Sequence, residues 1–147
     1  MSAAVEFQMH RIGGEIVNLA SLLDMVPDND WVWSVLEFDG LGQVPADLGY
    51  EEFRETVLSS PQGYVMSWRE LRAFAAGVRQ CFDLTLVAVR DRRVLDSDRF
   101  AANDFRACAA VLTASDSTYW SVEADAEFER TCQLVARVRS RYGSALR

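Results

Sequence analysis

The sequence predicts a single α+β domain in which a mostly antiparallel sheet of about four strands packs with about four helices. Three observations lead there. Apolar residues recur at spacings of three and four in four segments, and aromatic or β-branched runs between turn residues mark four strands. The order is helix, strand, helix, helix, three strands, helix, so the strands cluster as hairpins instead of alternating with helices. A chain of 147 residues that is 50% hydrophobic and 25% charged has the apolar content for one continuous core. One domain spanning 1–147 is therefore expected, with flexible ends at 1–12 and 143–147.

The first helix is predicted over Glu15 to Met25, where Ile16, Leu19, Ala20, Leu22 and Leu23 form one face and Pro27 closes the element. Trp31 to Phe38 follows as a strand, with Trp31, Trp33 and Val35 on one parity and Val32, Leu36 and Phe38 on the other. Asp39-Gly40-Leu41-Gly42 breaks it. Tyr50 to Leu58 reads as a short acidic helix with Phe53, Val57 and Leu58 on one side and Glu51, Glu52 and Glu55 elsewhere. Ser67 with Glu70 three residues later is the capping-box pattern, opening a helix through Leu71, Phe74, Ala75 and Val78 that ends near Cys81. Leu84 to Arg90 is nearly all apolar and is expected in the middle of the sheet, and Asp91 to Arg99 reads as a solvated connection. Phe105 to Thr113 and Thr118 to Glu123 form a hairpin about Ala114-Ser115-Asp116-Ser117. The last helix is headed by Asp125 as N-cap, with Phe128, Cys132, Leu134, Val135 and Val138 on its apolar face.

Composition then narrows the chemistry. The only histidine, His10, sits in an N-terminal stretch that reads as irregular, so a Ser-His or Cys-His enzyme is not expected. All 15 basic residues are Arg; with no Lys there is no Schiff-base or phosphate-loop lysine. Cys81, Cys108 and Cys132 have no metal-ligand spacing and read as small buried hydrophobes in a reducing cytoplasm. Asp28-Asn29-Asp30 and Asp96-Ser97-Asp98 resemble fragments of a calcium loop but lack its glycine and distal glutamate. No metal and no cofactor is expected, and the protein is read as non-enzymatic. No apolar run reaches the roughly 20 residues of a bilayer span, no export signal is visible, and the expected compartment is the cytoplasm.

Charge carries the functional signal. From Met1 to Gly63 there are eleven acids against two arginines, whereas Tyr64 to Arg147 holds eleven acids against thirteen arginines; the net charge is −7. An acidic half of this kind attracts a basic partner and repels nucleic acid and anionic membranes. The basic cluster Arg90, Arg92, Arg93 and Arg99 is interleaved with Asp91, Asp96 and Asp98, a poor nucleic-acid footprint. The candidate partner-binding residues are Asp24, Asp28, Asp30, Trp31, Trp33, Glu37, Asp39, Asp47, Glu51, Glu52 and Glu55. Acids supply steering, and tryptophans exposed on one strand face beside Glu37 supply anchoring contact.

The stretch Ser115-Asp116-Ser117-Thr118-Tyr119-Trp120-Ser121-Val122-Glu123, followed by the helix headed by Asp125, resembles the ending of small immunity proteins from bacterial polymorphic-toxin and contact-dependent growth inhibition systems. That resemblance implies a cytoplasmic protein that neutralises a cognate toxin domain by covering its basic active site. Interfaces in that family diverge between cognate pairs, so no binding residue is transferred to this chain. Two other readings stay open: a small-molecule-binding or enzymatic α+β domain with a pocket lined by Trp31, Trp33, Tyr64, Trp68 or Trp120, and a homo-oligomeric accessory protein joined through exposed tryptophans.

Overall fold

A computed structural model describes residues 2–45, 48–125 and 129–143. The chain is α+β, with every strand pairing antiparallel in one six-stranded sheet ordered β1-β6-β5-β4-β2-β3. The strands are β1 (Ser2–Gln8), β2 (Val32–Gly42), β3 (Tyr64–Met66), β4 (Val78–Val89), β5 (Ala110–Ser115) and β6 (Tyr119–Asp125). The α-helices are α1 (Leu19–Leu23), α2 (Tyr50–Ser59), α3 (Trp68–Gly77), α4 (Ser97–Ala101) and α5 (Glu129–Tyr142), with one 3-10 turn at Arg92–Val94. Four predicted strands thus become six, because the N-terminus and the short Tyr64–Met66 segment both pair into the sheet.

The main core lies between the sheet and α1, α2, α3 and α5. Phe7, Trp33, Val35, Phe38, Leu84, Leu86, Leu112, Trp120 and Val122 line its sheet side. Phe53, Leu71, Phe74, Leu134, Val135 and Val138 come from the helices. Phe38 meets Phe53 and Phe74 edge-on at 5.6 and 5.4 Å between ring centres, an arrangement in which the electron-poor edge of one ring faces the π cloud of another. A smaller cluster of Val87, Val89, Leu95, Cys108 and Val111 forms where the excursion from Asp91 to Ala109 folds over part of the opposite sheet face. Covered on both sides there, β4 has Leu86 to Val89 buried without interruption and sits centrally between β2 and β5, as its apolar run predicts.

Several predicted boundaries move for identifiable reasons. The N-terminal stretch is not irregular: Val5 and Phe7 point into the core, Ala4, Glu6 and Gln8 point out, and the whole of Ser2–Gln8 pairs with β6. Beyond it, Gly13 and Gly14, at φ +104° and +93°, turn the chain into a second ladder in which Arg11 N donates to Glu15 O at 2.8 Å and Val17 N to Met9 O at 2.9 Å. Glu15 to Val17 therefore extend this hairpin, and the first helix begins only after Asn18, whose Oδ1 accepts from Ser21 N at 2.9 Å. Asp39 to Gly42 do not end β2. Gly40 and Gly42 carry it on through bulges against β4, and a Cβ at Gly42 would strike the Gly77 carbonyl.

The capping box at Ser67 is present in full: Glu70 N donates to Ser67 Oγ at 3.1 Å and Ser67 N donates to Glu70 Oε1 at 2.9 Å. The helix it opens stops at Gly77, four residues short of Cys81, and Val78 starts β4 with no intervening loop. The hairpin strand predicted from Phe105 starts instead at Ala110, and Asp125 ends β6 opposite Ser2. The N-cap of α5, together with Phe128 and the side chain of Cys132, lies outside the described residues, as do residues 144–147 of the expected flexible tail.

The charged connection is built rather than loose. Asp91, Asp96 and Asp104 each accept the backbone N–H two residues on, and Arg93 and Arg106 close back on Asp91 and Asp104 at 2.7 and 3.0 Å. The hydrogen bonds from Arg93 and Arg106 hold the two carboxylates at about 2, below the ordinary 3.8. A carboxylate whose folded pKa is lowered adds stability above its unfolded value, and that contribution disappears as pH falls from about 3.8 toward 2. Carboxyl carbon shifts followed by NMR are expected to titrate near 2 for Asp91 and Asp104 and to move toward 3.8 in Arg93→Ala and Arg106→Ala respectively. Midpoints already at 3.8 in the parent protein would refute the pairing. Both ion pairs are exposed, so their share of stability is small.

Candidate functional site

β2 divides the predicted site in two. At the residue rise of an extended strand, Trp31 and Asp39 stand roughly 25 Å apart. Asp24, Asp28, Asp30, Trp31 and Trp33 gather where β2 begins, whereas Glu37 and Asp39 lie toward its far end, where α2 packs with Glu51, Glu52 and Glu55 exposed. Asp47 lies outside the described residues.

The first group does not present the expected aromatic-acidic surface. Trp33 is fully buried and Trp31 is 7% exposed. The Trp33 ring centre lies 5.5 Å from Trp68 and 6.0 Å from Trp31, and its Nε1 donates to Asn29 Oδ1 at 3.0 Å. The residues expected to enter the core in their place, Val32 and Leu36, pack into the smaller cluster on the opposite sheet face. Of their set, only Phe38 joins the main core, because a register shift between Val35 and Glu37 inserts one residue and reverses the parity. Asp24 pairs with Arg72 at 2.9 Å, and Arg72 in turn lies 5.5 Å over the Trp68 ring. Asp28 Oδ1 accepts from Trp68 Nε1 at 3.3 Å. Trp68 is thus the tryptophan with surface to offer; Trp31, Trp33 and Trp120 belong to the core.

The second group is more open. Glu37, Glu51, Glu52 and Glu55 are exposed and form no ion pair among the described residues. Glu51 and Glu52 occupy the first turn of α2, where the helix dipole favours them, so part of their placement is structural. Arg54, the lone arginine of α2, turns inward and donates from Nε to Phe38 O at 3.0 Å. Asp39 Oδ1 accepts from the Tyr50 hydroxyl at 2.5 Å, and that hydroxyl accepts from Gly40 N at 3.1 Å. Burial, then the bond to Asp39, pushes the Tyr50 phenol upward, so it stays protonated and keeps donating at neutral pH.

Register brings in residues that sequence reasoning missed. Glu37 pairs with Thr85, Thr85 with Thr113, Thr113 with Ser121, and Ser121 with Glu6, a row of small hydroxyl side chains with an acid at each end. Four inter-strand steps make this row roughly 19 Å wide. Thr113, Ser121 and Glu123 continue into a groove of about 700 Å³ whose far wall is Phe105, Arg106 and Cys108. The signal for Glu6 was the alternation Val5-Glu6-Phe7-Gln8, which defines an outward position once β1 is recognised.

The remaining chemistry is sparse. His10 Nε2 lies 2.9 Å from Ser117 O at the exposed end of the hairpin. Burial pushes the Cys81 thiol up to about 12 and, with the charge of Asp104, Cys108 to about 11, the opposite of an activated nucleophile. Asn29 of the first calcium-like fragment accepts from Trp31 N and Trp33 Nε1, and Asp96 of the second caps α4. Among the described residues no three His, Cys, Asp or Glu side chains converge on a point, and no helix is long and apolar enough to cross a membrane. Comparison with known protein families, curated proteins and solved structures gives no match.

Proposed function

We propose that this protein is a non-enzymatic inhibitor of the immunity-protein kind, which binds and neutralises a basic protein domain through the acids of α2. The observation that carries the reading is the state of Glu51, Glu52 and Glu55: exposed and, among the described residues, without an ion pair; Glu37, next to the Phe38 that meets Phe53 of α2, points to the opposite face of the sheet. α2 carries three glutamates against one arginine, Arg54, which turns inward to a backbone carbonyl, so the exposed face of the helix is net negative. Such a field speeds encounter with a cationic groove, and acids of this density imitate the phosphates a nuclease-like partner would otherwise hold. Asp24 and Asp28, engaged with Arg72 and Trp68, have the weaker claim.

Capture from a lysate of the encoding organism at low salt, followed by assay of the recovered basic domain, tests the reading. The expected result is a single basic domain whose enzymatic activity falls to zero at equimolar inhibitor. Recovery of no basic protein, or of one whose activity is untouched at saturation, would overturn it.

A further inference from the structure

Among the described residues two edges of the sheet are unpaired over more than a few residues, and both carry side chains hydrogen-bonded to their backbone. Met9 N donates to Thr118 O at 2.9 Å, one step beyond the β1–β6 ladder, so odd-numbered residues of β1 face β6 and the backbone groups of Ala4, Glu6 and Gln8 face outward. The Ala4 carbonyl accepts from Arg139 Nη2 on α5 at 2.8 Å, and the Gln8 carbonyl accepts from Arg11 Nη1 at 3.2 Å. Arg11 is held there by Nη2 donating to Tyr142 O at 2.9 Å and by its place over the Phe7 and Tyr142 rings.

The other edge belongs to β2. Because β3 pairs only with Trp33, Ser34 and Val35, the stretch from Glu37 to Gly42 has a strand on the β4 side alone. There the Phe38 carbonyl accepts from Arg54 Nε and Gly40 N donates to the Tyr50 hydroxyl, both from α2. β3, three residues long, offers little to a further strand.

We infer that Arg139 and Arg11 on one edge, and Arg54 and Tyr50 on the other, close the sheet against addition of a strand from a second copy of this chain. An exposed edge is a template for pairing, and a guanidinium bound to an edge carbonyl removes an acceptor that an incoming N–H requires. A charged side chain on the edge also has to be stripped of water and displaced before a strand can dock. A partner is thereby directed to the faces of the sheet and helices, an inference independent of the proposed inhibitor role.

The test replaces the donors while keeping the aliphatic stems: Arg139→Met, Arg54→Met and the double variant, with Arg139→Lys and Arg54→Lys as variants that retain a donor. Sedimentation velocity across a concentration series is read together with far-ultraviolet circular dichroism. The methionine variants are expected to self-associate at a concentration about tenfold lower than the parent while keeping its spectrum, and the lysine variants to behave more like the parent. Each single variant leaves the other edge closed, so it remains informative if the double variant does not fold. Methionine variants that sediment as the parent does, or that associate only after losing their native spectrum, would overturn the inference.

Discussion

Trp33→Ala is expected to cost about 3–5 kcal/mol of folding stability, lowering Tm by roughly 10–15 °C for a domain of this size. The ring is fully buried, lies between the neighbouring Trp31 and Trp68 rings, and is fixed by the bond from its Nε1 to Asn29. Truncation removes a large apolar surface from the core, leaves a cavity and takes away one of the two donors to Asn29 Oδ1, leaving it only Trp31 N. Trp33→Phe keeps most of the volume and should cost visibly less. Urea unfolding followed by circular dichroism measures both; a loss below about 1 kcal/mol for the alanine variant would mean that the ring faces solvent, as the strand parity by itself allows.

Gly63→Ala is expected to cost about 3 kcal/mol from backbone strain and overpacking together. Gly63 is buried at φ +74°, and a Cβ there would press on Ser34 Oγ and the Val35 carbonyl. Ser34 has no room to yield, because it is itself fully buried and its hydroxyl donates to the Gln62 carbonyl. The turn that delivers Tyr64–Met66 to β2 would have to open. Gly49→Ala, where nothing lies within 4 Å of the added Cβ and no positive φ is required, serves as the control and, as a change at the N-cap of α2, should cost no more than about 1 kcal/mol. Equal effects from the two substitutions would refute this account of the turn.

What the sequence made legible follows from how local each signal is. The Ser67–Glu70 capping box, the faces of α2 and α3 and the central position of β4 rest on contacts within a turn or on an uninterrupted apolar run. The alternation of β1 was also present, but two features concealed it: small Ala3 and Ala4 at its start, and a partner strand more than a hundred residues away. The exposure of Trp31 and Trp33 was not legible at all. Parity groups residues on a strand without saying which group faces the helices, and the register shift before Glu37 exchanges the groups midway. Glycines 40 and 42 looked like a stop because glycine weakens strands in general; here they admit the close approach of β4. The acids of α2 were placed on an exposed face correctly, although Leu58, read onto the apolar side, is 70% exposed, and their separation from Asp24, Asp28 and Asp30 depended on the length of β2 between them.

Association kinetics with the recovered basic domain test the central claim most directly, comparing Glu51→Lys/Glu52→Lys/Glu55→Lys with Asp24→Lys/Asp28→Lys/Asp30→Lys across a salt series. If the acids of α2 form the docking surface, the first triple variant loses affinity at least 100-fold, about 2.7 kcal/mol, with a slower on-rate and a flatter salt dependence, whereas the second changes far less. Equal losses from the two triples, or affinity unchanged in the first, would contradict it.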